Sequence, residues 1–223
     1  CVCTAEGVAF TRIAKINNML SPEEIKKLAG TAAIDLVEDD MILGIGTGTT
    51  AYWFIMALAE KVKNGLRCKA VPTSKQTEAL ARERNIPLLT LNETDRIDLT
   101  IDGADEIDPH LQLIKGAGGA LVREKIIATS AKRFVVIADP TKLVPQLGHI
   151  FPLPVEVTPL GRTPVQRRLE ALGAQVVLRV RNGKIFASDN HNNILDCTFP
   201  QGITDPETLD ARIHSIVGVV ETG

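Results

Sequence analysis

From Ser21 onward the chain alternates short, continuous apolar runs with stretches of helical periodicity. The runs "MILGI" (41–45), "CKAVP" (68–72), "PLLTL" (87–91), "RIDLTI" (96–101) and "RFVVIA" (133–138) have strand length and strand composition. Between them lie helical segments. "SPEEIKKLAGTAAIDLV" opens with a Ser cap, Pro at the first helical position and acids in the first turn. "TAYWFIMALAEKVKNG" ends at Gly65, Ser74 caps "KQTEALARERN", and "ALVREKIIATSA" precedes the last of the runs. Continuously apolar strands separated by helices predict an α/β domain: a mostly parallel sheet with helices on both faces, Rossmann-like.

After about Gly148 the pattern changes. "PVEVTP" and the helix "PVQRRLEALG" lead into a meander of "AQVVLRV", "KIFAS" and "ILDCTF". Asn182-Gly183 between alternating runs is a strong hairpin signal. Asp205-Pro206 then starts a helix through about Ile216. This pattern predicts a smaller α+β domain. The expected division is a poorly ordered extension over 1–19, an α/β domain over 20–147 and an α+β domain over 148–223.

Composition narrows the function classes. With 25 basic and 27 acidic residues in 223, the net charge is -2, which offers no footprint for nucleic acid. Aromatic residues make up 4%, too few for a base-stacking platform. No apolar run approaches a membrane span. Cys1, Cys3, Cys68 and Cys197 form no C-x-x-C pair, which points to a reducing compartment, the cytoplasm. His110, His149, His191 and His214 are scattered, without metal-ligand spacing.

Ligands of open α/β sheets bind beyond the carboxyl ends of the strands, and unusual loops leave such ends here. The first is "GIGTGTT" (44–50). Its glycines allow close backbone approach, its amides and the following helix N-terminus favour an anion, and Thr47, Thr49 and Thr50 add hydroxyls around Gly48. Thr49 stands where a dinucleotide fingerprint needs glycine, and no G-K-[ST] follows, so a phosphate ester fits better than a nucleotide. A plain strand-to-helix turn is the alternative. The second loop, "DGADEID", concentrates Asp102, Asp105, Glu106 and Asp108 around Gly103 and Ala104. A cluster of this kind can hold a metal, perform acid–base chemistry or form a solvated turn. Glu106 and Asp108 read as solvated turn residues, Asp108 favouring a turn before Pro109. The third, "KGAGGALVREK" (115–125), offers Lys115 and the amides of Gly116, Ala117 and Gly118 for a developing oxyanion. Glu124, one turn into the next helix, falls on the arc of Leu121, Ile127 and Ala128. Burial there suits either a general base or a buried salt bridge. Lys115 and Lys142 bring cations to the same edge and weaken the need for a metal.

Together "GIGTGTTA", "DGADEID", "LIKGAGGALVREKIIA", "ADPTKLV", "FPLPVEV" and "GVVETG" resemble, in order and spacing, the A-type ribose-5-phosphate isomerase family, over roughly residues 20 to 223. The resemblance implies interconversion of ribose 5-phosphate and ribulose 5-phosphate without metal or other cofactor, in a homodimer or homotetramer whose partner molecule is a sugar phosphate. It implies Glu124 as catalytic base, with Asp102, Asp105 and Lys115 as further active-site residues. It implies substrate contacts from Thr47 to Thr50, Asp102 to Asp105, Lys115 to Gly118 and Lys142, with Lys26 a weaker phosphate contact. Ala117 stands where the family often has glycine. The family also continues past the position of Gly223 through a strand region that returns to the first domain. A non-catalytic sugar-phosphate sensor, and a phosphosugar lactonase or deaminase, are the competing readings.

Overall fold

The structure, a computed structural model, describes the backbone of residues 2–4 and 7–9 and the whole of residues 20–223. It divides into two compact units, Cys1–Gly103 with Arg123–Thr141, and Ala104–Val122 with Lys142–Gly223. The chain therefore passes between them at Gly103–Ala104, Val122–Arg123 and Thr141–Lys142.

The elements of the first unit, in chain order, are β1 (Val2–Thr4), β2 (Gly7–Ala9), α1 (Pro22–Ala32), β3 (Met41–Ile45), α2 (Thr49–Lys63), β4 (Cys68–Pro72), α3 (Lys75–Glu83) and β5 (Leu99–Asp102). The second unit begins with the paired strands β6 (Glu106–Ile107) and β7 (Leu113–Ile114). α4 (Leu121–Thr129) leads back to β8 (Phe134–Ile137) of the first unit. The first unit's sheet runs β2-β1-β8-β5-β3-β4. β8, β5, β3 and β4 are parallel, and β1 joins antiparallel beside β8. Of residues 1–19, those other than 2–4 and 7–9 lie outside the described residues, and so do the side chains of Cys1 and Cys3.

Local chemistry fixes the helix starts. Ser21 and Glu24 form a reciprocal capping box on α1, with Pro22 behind it. Ser74 accepts the Thr77 amide at the start of α3. The continuous apolar runs bury on both faces: Leu43, Ile45, Leu99, Ile101, Val135 and Ile137 pack with Phe54, Ile55 and Leu58 of α2. Gly30 lets α1 approach α2 closely, because a Cβ there would lie 2.7 Å from the Thr50 carbonyl oxygen. The expected strand "PLLTL" is reduced to a single bridge between Leu88 and Ala70, followed by a 3₁₀ turn over Leu91–Glu93. Glu93 folds back onto the Thr90 amide and hydroxyl, which turns the chain out of the sheet.

The second unit continues with β9 (Leu153–Val157), α5 (Arg162–Ala171), β10 (Gln175–Leu178), β11 (Val180–Arg181), β12 (Lys184–Ile185), β13 (Asn193–Thr198), α6 (Pro206–His214) and β14 (Val219–Thr222). Its antiparallel sheet runs β10-β13-β9-β14. Val155, Val157, Leu195 and Cys197 of this sheet pack with Val165 and Leu169 of α5 and Ile213 of α6. The hairpin turn falls at Asn182 (φ 53°) and Gly183 (φ 72°), both left-handed as a two-residue hairpin loop needs. The units differ from a linear division near residue 147 because Ala104–Val122 pairs with distant chain. Ile107 bridges Leu143, the Val144 amide bonds the Ile107 carbonyl, and the Lys115 amide bonds the Gly223 carbonyl.

Candidate active site

In the first unit, β3 ends in Gly46 and the chain turns through Thr47 and Gly48 into α2. Asp102, at the end of neighbouring β5, is 1% exposed, and its Oδ1 accepts the amides of Thr47 (3.0 Å) and Gly103 (2.7 Å). Only glycine fits at 46: a Cβ would lie 2.1 Å from that same Oδ1. Gly48 takes φ 113° and caps α2 without a side-chain hydrogen bond. Gly48 and Thr49 are exposed, whereas Thr50 is buried. The Thr47 hydroxyl points inward, within 2.8 Å of Thr73 Oγ1, 2.8 Å of Ser74 Oγ and 3.0 Å of Thr77 Oγ1. It ties the loop to the end of β4 rather than offering a further outward donor. The sequence marks Ser74 only as a helix cap, and Thr73 and Thr77 carry no signal there, because each is ordinary alone.

On α4, Glu124 is 4% exposed and shares the buried arc with Ile127, which packs on Val71 and Ile97. Arg123 and Lys125 are half-buried. Lys26, on α1, is half-buried as well. Asp139, just past β8, is buried and accepts the Thr141 amide at 2.9 Å.

In the second unit, Asp105 is half-buried, and its Oδ2 accepts the Ala117 amide at 2.8 Å. The glycine loop follows β7. Gly116 and Gly119 both adopt φ 91°, while Ala117 stays out of the left-handed region, so alanine suits that position. Ala117 and Gly118 are exposed between the buried Gly116 and Gly119. Lys115 is half-buried, and Lys142 Nζ lies 4.3 Å from the centre of the Phe151 ring.

Two expectations are corrected here. Glu106 and Asp108 are not solvated. Glu106 is 0% exposed; its Oε2 accepts the Gly148 amide at 2.6 Å, and its Oε1 accepts those of Ile150 (2.5 Å) and Phe151 (2.7 Å). Asp108 is 8% exposed and accepts the amides of His110 and Gln112, so the turn forms around a desolvated carboxylate. Both acids are buried because backbone donors replace their water.

Among the described residues, Asp210, His214 and Glu221 are a group whose ligand-type atoms lie within 4.8 Å of one another. His214 Nε2 faces Glu221 Oε1 at 2.7 Å, and Nδ1 faces Asp210 Oδ2 at 3.2 Å. The ring thus sits between the carboxylates and fastens α6 to β14. Among the described residues no helix is long and apolar enough to cross a membrane.

A profile of the ribose 5-phosphate isomerase A (phosphoriboisomerase A) family matches residues 69–223. The chain is 51% identical over 199 residues to ribose-5-phosphate isomerase A of Bacillus mycoides strain KBAB4, covering 89% of this chain and 90% of that one. It superposes on the Methanocaldococcus jannaschii ribose 5-phosphate isomerase A structure with TM-score 0.87 at 41% identity, covering 91% of each chain. A D-ribose-5-phosphate isomerase in complex with phospho-erythronic acid superposes with TM-score 0.88 at 42% identity, covering 92% of this chain and 90% of that one.

Proposed function

The chain belongs to the ribose 5-phosphate isomerase A family, and we propose on that premise a proton-transfer mechanism centred on Glu124. The enzyme interconverts D-ribose 5-phosphate and D-ribulose 5-phosphate. The sensor, lactonase and deaminase readings are not favoured by relatives that carry the isomerase name across most of the chain. The solved relative that binds phospho-erythronic acid, a four-carbon acid phosphate, supports a phosphorylated open-chain sugar as the species acted upon.

The observation that carries the reading is a carboxylate buried on α4, nine residues beyond Lys115 and directly after the glycine loop. The sugar ring must first open, which moves a proton between the anomeric hydroxyl and the ring oxygen. Asp102 and Lys115 suit that step by type. Glu124 then takes the C2 proton of the aldose and returns it to C1 through an enediol(ate); one carboxylate on one face serves both carbons. Charge developing on oxygen is met by Lys115 and the remaining glycine-loop amides, while Asp105 holds the Ala117 amide. The Gly48–Thr50 turn, with the N-terminal amides of α2, takes the phosphate and holds the short sugar in register. Lys142 and Lys26 supply further positive charge.

We place the enzyme in the cytoplasm, where free thiols such as those of Cys68 and Cys197 persist, and as a homodimer or homotetramer, as the family resemblance implies. Glu124→Gln keeps shape but removes the base. Turnover should fall at least about a hundredfold with little change in substrate affinity. Exchange of the C2 proton with solvent deuterium should fall in parallel. Near-normal turnover and exchange would make Glu124 structural and pass the role of base to Asp102 or Asp105.

A further inference from the structure

The glycine loop is gripped from behind by a charged group that the mechanism does not use. Arg179 lies between β10 and β11, and its side chain is only 11% exposed. Its Nε donates to Asp196 Oδ2 at 2.9 Å, and its Nη2 donates to Asp196 Oδ1. Nη1 donates to two successive loop carbonyls, those of Gly116 and Ala117, each at 3.1 Å. Asp196, on β13, is itself 20% exposed, so the fork is largely desolvated. The Phe186 ring closes the platform: Arg179 lies 5.9 Å from its centre, and a Cβ on Gly119 would meet its edge at 2.5 Å.

The direction of the peptide units gives this grip a consequence. In a planar trans peptide the C=O and N–H point opposite ways. The Gly116–Ala117 peptide gives its oxygen to Arg179 and its N–H to Asp105 Oδ2, at 2.8 Å. With the Ala117 carbonyl also drawn to Nη1, the Gly118 amide is turned to the same side as that of Ala117. A cation at one end of a peptide polarises it, and the N–H at the other end becomes a better donor.

We propose that Arg179 is a positioning residue for the isomerase reaction, acting through the Gly116–Ala117 peptide to set the Asp105 carboxylate and to aim the loop amides. Asp196 holds the guanidinium in plane. The inference rests on Asp105 being an active-site residue, as proposed above. Lysine cannot replace this arginine, because an ammonium is not a planar fork able to hold Asp196 and both carbonyls together.

The experiment is a double-mutant cycle on the full chain with Arg179→Lys and Asp105→Asn, reading kcat, KM and thermal midpoint. Arg179→Lys keeps a positive charge beside Asp196, so the protein folds. It should lower kcat about tenfold and change KM less than about twofold, because misplacement of a catalytic group acts on the chemical step. In the Asp105→Asn background the same change should cost less than about threefold, since linked residues are not additive. Arg181→Ala is the control. That exposed side chain also lies over Phe186, 4.6 Å from its centre, and the variant should retain normal kcat. Normal kcat in Arg179→Lys, or equal losses in both backgrounds, overturns the inference. Normal kcat in Asp105→Asn instead overturns the reading of Asp105. If Arg179→Lys does not fold, Asp196→Asn, which leaves the arginine but loosens its fork, should lower kcat with the same dependence on Asp105; unchanged kcat there is equally fatal.

Discussion

Glu106 shows how a single side chain can order a distant turn. Each of its oxygens faces backbone donors from Gly148, Ile150 and Phe151. An amide in its place must aim an NH₂ group at one of those N–H groups. Glu106→Gln should therefore destabilise the protein by about 1–3 kcal/mol, read as a lower urea midpoint. An unchanged midpoint would mean that the 148–151 turn does not depend on this residue. The buried thiols make a second test. Burial pushes the Cys68 thiol up from 9.0 to about 11 and the Cys197 thiol up from 9.0 to about 12, with Asp39 and Asp196 adding to the effect. Neither should be alkylated by iodoacetamide in the native protein at neutral pH, and both should be after unfolding. Because the folded state holds these protons more tightly, their contribution to stability is complete below about pH 9. It declines as pH rises toward 11 to 12, by up to about 1.4 kcal/mol per pH unit and thiol. Native labelling at pH 7, or a stability flat up to pH 11, contradicts this. Glu124 was legible as an apolar-arc carboxylate because helical periodicity is local. Glu106 was misread because its donors lie more than forty positions away along the chain.

At the scale of elements, the strand-to-helix turn after β3 depends on one missing methyl group. Gly46 and Asp102 occupy the ends of adjacent parallel strands, and the aspartate leans across the glycine to reach the Thr47 amide. Gly46→Ala must push either the loop or the carboxylate away. kcat/KM should drop at least about tenfold, with the circular dichroism spectrum of the folded protein retained. Normal kcat/KM would show that the placement of Asp102 is immaterial to turnover. The glycine and threonine content of this turn was readable in the sequence, and so were the caps of α1 and α3, because each rests on neighbours within a few residues. The inward turn of the Thr47 hydroxyl was not readable, since it is set by β4 and α3. Nor was the β6–β7 pair, whose two-residue strands carry too short a pattern to register. Arg179 looked like any charge in an alternating strand; only the fold brings the glycine loop over it.

At the scale of the molecule, alternating strands and helices announced a parallel sheet, and the meander announced an antiparallel one. The assignment of Ala104–Val122 to the second unit was hidden, because it depends on partners as remote as Leu143 and Gly223. That segment brings Asp105 and Lys115 into the unit that carries Lys142, while Asp102 and Glu124 belong to the other. This distribution bears on whether the reaction needs a divalent ion. Mg²⁺ is held by carboxylate oxygens that keep few other obligations. Here Asp102 Oδ1 takes two backbone amides, Asp105 Oδ2 takes one, and Asp108 and Glu106 take their own sets. In the proposed mechanism Lys115, Lys142 and the loop amides would supply the positive charge that an enediolate needs. The Asp210–His214–Glu221 group is already engaged: His214 Nε2 bonds Glu221 Oε1 at 2.7 Å, which fastens β14 to α6, and Nδ1 bonds the Asp210 backbone carbonyl oxygen at 2.9 Å. Exhaustive treatment with a chelator should therefore leave kcat and KM for ribose 5-phosphate within about twofold of their starting values, since no transition-state interaction is removed. Glu221→Gln should behave alike with and without chelator. Loss of turnover on chelation, restored by Mg²⁺, would assign a metal to the "DGADEID" carboxylates. Restoration by Zn²⁺ that fails in Glu221→Gln would assign it to the group on α6 and β14.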